Sequence, residues 1–286
     1  WANYFNKAVS FLRAMQATDV DTQKIQYERS IFAFNQAIKL EPDSADTYKN
    51  LSFVYLNQQK LDDAIVPLKK LISLEPSLEG YRYLGEIYFN QGNVKLSKYE
   101  ESKNAADSLA AMELFNKSIE VLEKGRVHFP NDSEILLYLS NAYIAANKID
   151  VAISAFKAGV EQEPENQYYR YNYGVLLLGG NSFAEAAEQF EKALQIDPSY
   201  INAHYNLAVT YVKWGATLSK AAEEKGEENP QVKVKYGLAL PHLETYLQKK
   251  DDDPAIWELT GRVYSILGRL EDGVKAFEKA DSLRKR

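Results

Sequence analysis

The apolar positions of this chain recur at helical spacing in two alternating patterns. The first runs bulky, apolar, small, aromatic. It appears as Tyr48-x-x-Leu51-Ser52-x-x-Tyr55, Tyr81-x-x-Leu84-Gly85-x-x-Tyr88, Leu136-x-x-Leu139-Ser140-x-x-Tyr143 and Trp257-x-x-Thr260-Gly261-x-x-Tyr264. The second follows it as Ala64-x3-Leu68-x2-Leu71, Ala152-x3-Phe156-x2-Gly159, Ala186-x3-Phe190-x2-Ala193 and Gly273-x3-Phe277-x2-Ala280. Residues three and four apart share one face of a helix. Each pattern therefore predicts one amphipathic helix, and together they predict helix pairs. Pro42, Pro76, Pro130, Pro164 and Pro198 close most pairs, because proline cannot donate the helical hydrogen bond. Seven units follow: 1–44, 45–77, 78–132, 133–166, 167–200, 201–253 and 254–286. No single pair can bury its apolar stripe, so the units must stack.

The recurrence over the whole chain resembles the tetratricopeptide repeat family, whose unit is a helix-turn-helix of about 34 residues. The resemblance implies an all-α fold, a right-handed α-solenoid of antiparallel helix pairs forming one domain over 1–286. Its concave face would be lined by the first helix of each unit. Small residues such as Gly85, Gly174, Ala208 and Gly261 would let the paired helices approach closely. Units three and six are each longer than the repeat by roughly twenty residues. The surplus falls near 91–111 and near 214–233, both rich in helix formers. Both predict helical hairpins projecting by about 15 Å beyond their neighbours, the second with its tip at Gly226–Pro230. The first unit carries a smaller surplus near 17–24. Pro67 and Pro241 fall inside second helices, where each should bend its helix.

In the resembled repeat the residues two and three before the small position, one after it and six before it face the concave side. Two before it stand Asn6, Asn50, Tyr83, Tyr138, Asn172, Asn206 and Leu259. Asparagine inside a helix costs about half a kcal/mol against alanine, so its recurrence at one register asks for a reason. A carboxamide donates and accepts, and could hold the backbone of an extended peptide. The expected peptide-binding groove comprises Asn50, Asn141, Tyr168, Tyr171, Asn172, Asn202, Tyr205 and Asn206. In the segment YYRYNYG, Tyr173 is expected to pack inward, with Tyr168, Tyr171 and Asn172 facing the groove. Arg170 occupies a slot that is elsewhere bulky and aromatic. The asparagines resemble the peptide-holding ladder in the repeat arm of O-linked N-acetylglucosamine transferases, best at Asn172 and Asn206. The carboxylate clamp of chaperone-adaptor repeats fits less well. Lys49-Asn50 and Arg82 echo it, but Glu79 and Glu86 share that face and would repel a terminal carboxylate.

Composition narrows the chemistry. The net charge is −6 and no Lys/Arg stripe stands out, which argues against nucleic acid as a partner. No apolar run reaches the roughly 18–20 residues of a membrane span. With no cysteine, thiol catalysis and disulfides are excluded, and the compartment leans to an exported, periplasmic one. The three histidines His128, His204 and His242 are far apart, and no nucleotide or metal motif appears. Asp251-Asp252-Asp253 reads as a helix cap before Pro254. No catalytic residue, cofactor or metal is expected. The sequence thus points to a non-catalytic scaffold whose partner is a protein or an extended peptide. Two alternatives remain: a structural module that self-associates through uncapped ends or projecting hairpins, and the regulatory arm of a larger protein.

Overall fold

The computed structural model describes residues 1–14 and 20–285, and every regular element among them is an α-helix. Two compact units divide the chain, residues 1–147 and 148–286. The first holds α1 (Ala2–Ala14), α2 (Val20–Leu40), α3 (Ala45–Asn57), α4 (Leu61–Leu74), α5 (Leu78–Ser102), α6 (Ala105–His128) and α7 (Ser133–Ala145). The second holds α8 (Ile149–Gln162), α9 (Gln167–Gly179), α10 (Phe183–Ile196), α11 (Ile201–Lys225), α12 (Gln231–Lys249), α13 (Pro254–Ile266) and α14 (Leu270–Arg284). Within each unit successive helices pack on one another. The fold class is all-α, a run of helix pairs of the α-solenoid type, with two helices in each of the seven spans.

The pairs close on a repeated interlock. A methyl group on Gly85 of α5 would lie 2.4 Å from the branched end of Leu122 on α6. On Gly174 it would lie 2.8 Å from the Phe190 ring, and on Gly261 2.9 Å from the Phe277 ring. A bare Cα on the first helix thus seats a large side chain of the second. Gly159 of α8 receives the ring of Tyr169 on α9 in the same way, at 2.4 Å.

The long units extend this interlock. α5 and α6 run on to a turn at Lys103–Asn104, and α11 and α12 to a tip over 226–230. Seven residues beyond Gly85, Gly92 faces the Phe115 ring at 2.5 Å, and Phe115 stands seven residues before Leu122. Seven residues beyond Ala208, Gly215 faces the Tyr236 ring at 3.0 Å, and Tyr236 stands seven before the buried Leu243. Seven residues are about two helical turns, so both hairpins repeat one contact on the same face. The smaller surplus near 17–24 falls partly outside the described residues. Pro67 and Pro241 sit inside α4 and α12 as expected.

Two further polar rules join element to element. The residue in the bulky slot of the first helix donates to a backbone carbonyl six residues back, at the preceding turn. Tyr48 Oη reaches the Pro42 oxygen at 3.0 Å and Trp257 Nε1 the Asp251 oxygen at 2.8 Å. Arg170 Nε reaches the Pro164 oxygen at 2.6 Å. Arginine fits the slot because its stem packs while its guanidinium donates. The second rule is a tyrosine hydroxyl donating to a glutamate 20 residues earlier, on the preceding helix. Tyr143 meets Glu123 at 2.8 Å, Tyr211 meets Glu191 at 2.5 Å and Tyr264 meets Glu244 at 2.7 Å. Burial first, and then the carboxylate, push the Tyr264 hydroxyl up to about 12, so these tyrosines stay protonated donors. At α13 the capping expectation is met: Asp253 accepts from the Ala255 N–H at 2.8 Å, with Pro254 opening the helix.

The interlock gives a paired prediction. Gly85→Ala should lower stability by about 1–3 kcal/mol through overpacking against Leu122, although alanine is the better helix former. Gly237 of α12 is exposed and would meet nothing within 4 Å, so Gly237→Ala should raise stability by about 0.5–1 kcal/mol. Urea unfolding of both variants checks the pair.

Candidate functional site

The eight residues singled out in the sequence divide between the two units. Asn50 and Asn141 belong to the first unit and the other six to the second. In the second unit, Tyr171 is 7% exposed and Asn172 1%. The Tyr171 ring packs on Phe190 and on Tyr200, at 5.8 and 4.9 Å between centroids. Asn172 Nδ2 donates to the Tyr168 carbonyl one turn back at 2.8 Å. Asn206 is half-buried, and its Nδ2 donates to the Tyr171 hydroxyl at 2.8 Å. At Asn172 the open amide expected from the sequence is therefore corrected. Asn172 is enclosed, and the donor of Asn206 is committed between α9 and α11. Asn202 is exposed, while Tyr168 and Tyr205 are half-buried against Tyr200 and Tyr246, at 6.0 and 5.2 Å. Tyr173, expected inside, is half-buried at the edge of the core.

Beside this cluster two histidines meet. His204 occupies the bulky slot of α11, and its Nε2 lies 3.0 Å from the Pro198 carbonyl. A carbonyl only accepts, so Nε2 carries the proton and Nδ1 of the neutral ring is an acceptor. His242 Nδ1, at 2.9 Å from it, is then the donor. Burial first, and the neighbouring imidazole second, lower His242 to about 4. Among the described residues no set of three His, Asp or Glu gathers as a metal site.

A recess lies in the first unit, between the first helices α3 and α5. A pocket of about 400 Å³ is lined by Lys49, Asn50, Phe53 and Leu56 of α3, Leu68 and Leu71 of α4, and Glu79 and Tyr83 of α5. A second hollow of about 290 Å³ shares Phe53, Leu56 and Tyr83 and adds Asn57, Glu86 and Asn90. The shared walls make one trough. Phe53 is 47% exposed and Tyr83 41%. Both sit at the register that faces the groove, two before or one after the small residues Gly85 and Ser52. Attention to asparagine passed over Phe53, which the same register rule places in the groove. Asn50 lines the trough half-buried, its Nδ2 donating to the Asp46 carbonyl at 2.8 Å. Half-buried Asn141 lies on α7, where Tyr138 Oη donates to Glu86 at 2.7 Å.

Lys49, which lines the trough, and Arg82, beside Tyr83 in the chain, are both occupied. Lys49 pairs with Glu79 at 3.3 Å. Its own backbone N–H and then Lys49 hold the Glu79 carboxyl below the usual carboxylate range. Arg82 pairs with Glu134, and its Nε lies 3.5 Å from Asp132. The clamp for a terminal carboxylate, disfavoured from the sequence, has both of its cations neutralised by carboxylates here.

Sequence models of the tetratricopeptide repeat match residues 33–66, 137–201 and 254–286. The chain is a tetratricopeptide-repeat protein. Repeats of this family generally mediate contacts between proteins. One relative is the peroxisomal targeting signal receptor of Saccharomyces cerevisiae, 27% identical over 207 residues, covering 64% of this chain and 34% of the receptor. Another is the STIP1 homolog of Dictyostelium discoideum, 28% identical over 189 residues, covering 61% of this chain and 27% of the homolog. This repeat chain spans about a third of the length of the targeting-signal receptors it matches. A crystal structure of a tetratricopeptide repeat protein from Parabacteroides merdae shares the fold, with a TM-score of 0.54 and 14% identity over 97% of this chain and 93% of that one. No helix among the described residues is long and apolar enough to cross a membrane.

The imidazole pair gives a pH prediction. A folded-state value of about 4 against an ordinary 6.5 means that the unfolded chain binds the proton first. The stability from neutral His242 is present above pH 6.5 and is lost as the pH falls toward 4. Urea titrations between pH 7.5 and 4 should show a shallower acid loss for His242→Gln than for the parent. Parallel curves would contradict the assignment.

Proposed function

We propose that the protein is a non-catalytic adaptor that holds an extended segment of a partner protein in the trough between α3 and α5. The observation that carries this reading is the exposure of Phe53 and Tyr83 at the rim of a recess floored by Leu56, Leu68 and Leu71. Tyr83 takes no part in the Gly85–Leu122 interlock, and Phe53 lies on the exposed side of α3. Filling such a recess with one apolar side chain stabilises a complex by about 1.5–3 kcal/mol. Amides and charges around it, at Asn50, Asn57 and Asn90, supply polar contacts at the rim. The similarity to a targeting-signal receptor, a protein named for recognising a signal, supports the same reading. The half-buried tyrosines of the second unit, with exposed Asn202, would serve as a further contact face.

Selection from a displayed library of random dodecapeptides tests the trough. The parent protein should enrich a family of peptides, and Phe53→Ser with Tyr83→Ser should weaken them by about tenfold or more. Thermal unfolding should shift little, because both rings are substantially exposed. Peptides that bind the doubly substituted protein as well as the parent would overturn the proposal.

A further inference from the structure

Along the trough and at its end, carboxylates outnumber cations. The two principal rows of the trough carry matching registers. On α3 the row is Asp46, Asn50, Phe53, Asn57; on α5 it is Glu79, Tyr83, Glu86, Asn90. Residues spaced by four, three and four stand on one helix face. Glu134 of α7 adds a carboxylate at the same turn as Asp46 and Glu79. Acids in a first turn also suit the helix dipole, and that accounts for Asp46, Glu79 and Glu134. It does not account for Glu86, which sits mid-helix at the edge of the pocket and accepts from Tyr138. The basic residues at these turns are Lys49 and Arg82, and each is paired with a carboxylate already present. After pairing, Asp46 and Glu86 add net negative charge on either side of the apolar recess.

We propose that the trough selects an internal basic segment, in which one large apolar side chain enters the recess at Phe53, Leu56 and Tyr83 and flanking Lys or Arg residues meet Asp46, Glu79 and Glu86. The proposal rests on the trough being the binding surface and names the chemistry of its occupant. Complementary charge at a rim accelerates encounter and rejects like-charged partners. A chain terminus is the poorer occupant, because its carboxylate would need a cation that Lys49 and Arg82 do not have to spare. Lys49 competes with the incoming basic residue for Glu79, so its removal favours the ligand.

The test uses two synthetic decapeptides, acetylated and amidated, sharing a central Leu-Phe and differing in four flanking residues, Lys in one and Glu in the other. Fluorescence anisotropy at low salt should show the Lys peptide binding about tenfold or more tighter than the Glu peptide. Its advantage should shrink at high salt, where exposed charges are screened. Glu79→Gln with Glu86→Gln should reduce the ratio, and Lys49→Gln should increase it. Phe53→Ser should weaken whichever peptide binds. Equal binding, or tighter binding of the Glu peptide, would overturn the charge inference. If Phe53→Ser still abolished that binding, the trough would stand as the site and only its selectivity would fall. Binding of neither peptide would also overturn the inference, and the library selection would then decide the trough independently.

Discussion

A large side chain seated on a bare Cα is the contact on which the pairs α5–α6, α9–α10 and α13–α14 depend. Leu122 on Gly85, Phe190 on Gly174 and Phe277 on Gly261 set the spacing of their hairpins. A β-carbon at any of these glycines would force the helices apart or bend the rings aside. The same contact one heptad further, at Gly92 with Phe115 and Gly215 with Tyr236, explains why the two long hairpins remain packed beyond the ordinary unit. Extension is achieved by repeating the existing seam, with no new kind of contact. Two polar rules then lock hairpin to hairpin. The bulky-slot residue donates to the carbonyl six residues back, and a tyrosine donates to a glutamate on the preceding helix.

Because the interlock lies between the two helices of a pair, the groove face of the first helix is released from packing. In the first unit that release leaves Phe53 and Tyr83 exposed over an apolar floor. In the second it leads to a different outcome. Tyr171 and Tyr200 fold over one another, Asn206 bridges to Tyr171, and much of the surface is taken up internally. Equivalent registers in the two units have thus diverged, one toward an open recess and one toward a closed aromatic cluster.

The helix pairs, the extended hairpins, the tip at 226–230 and the Asp253 cap were legible in the sequence, because each follows from spacing or local backbone chemistry. The asparagines were not. A carboxamide can hold a ligand, but it can equally bond the carbonyl one turn back, as Asn50 and Asn172 do. The local bond competes at no cost in chain closure. Sequence spacing does not distinguish the two. Arg170 looked anomalous until Tyr48, His204 and Trp257 showed that the slot asks for a packed stem with a donor at its tip. The Glu-to-Tyr spacing of 20 was present in the letters at Glu123, Glu191 and Glu244. Its meaning appears only when the turn between helices fixes how far apart the two residues lie. Phe53 was discoverable by register, yet a single exposed ring is common on protein surfaces, and only the recess beneath it gives it significance.

The central claim is that an apolar side chain of another protein enters between α3 and α5. The most direct measurement is a crystal structure of the protein with a library-selected peptide. The account predicts an extended chain across α3 and α5, with one apolar side chain between Phe53 and Tyr83 and basic groups near Glu79 and Glu86. A peptide seated elsewhere, with the Phe53–Tyr83 recess empty, would contradict it.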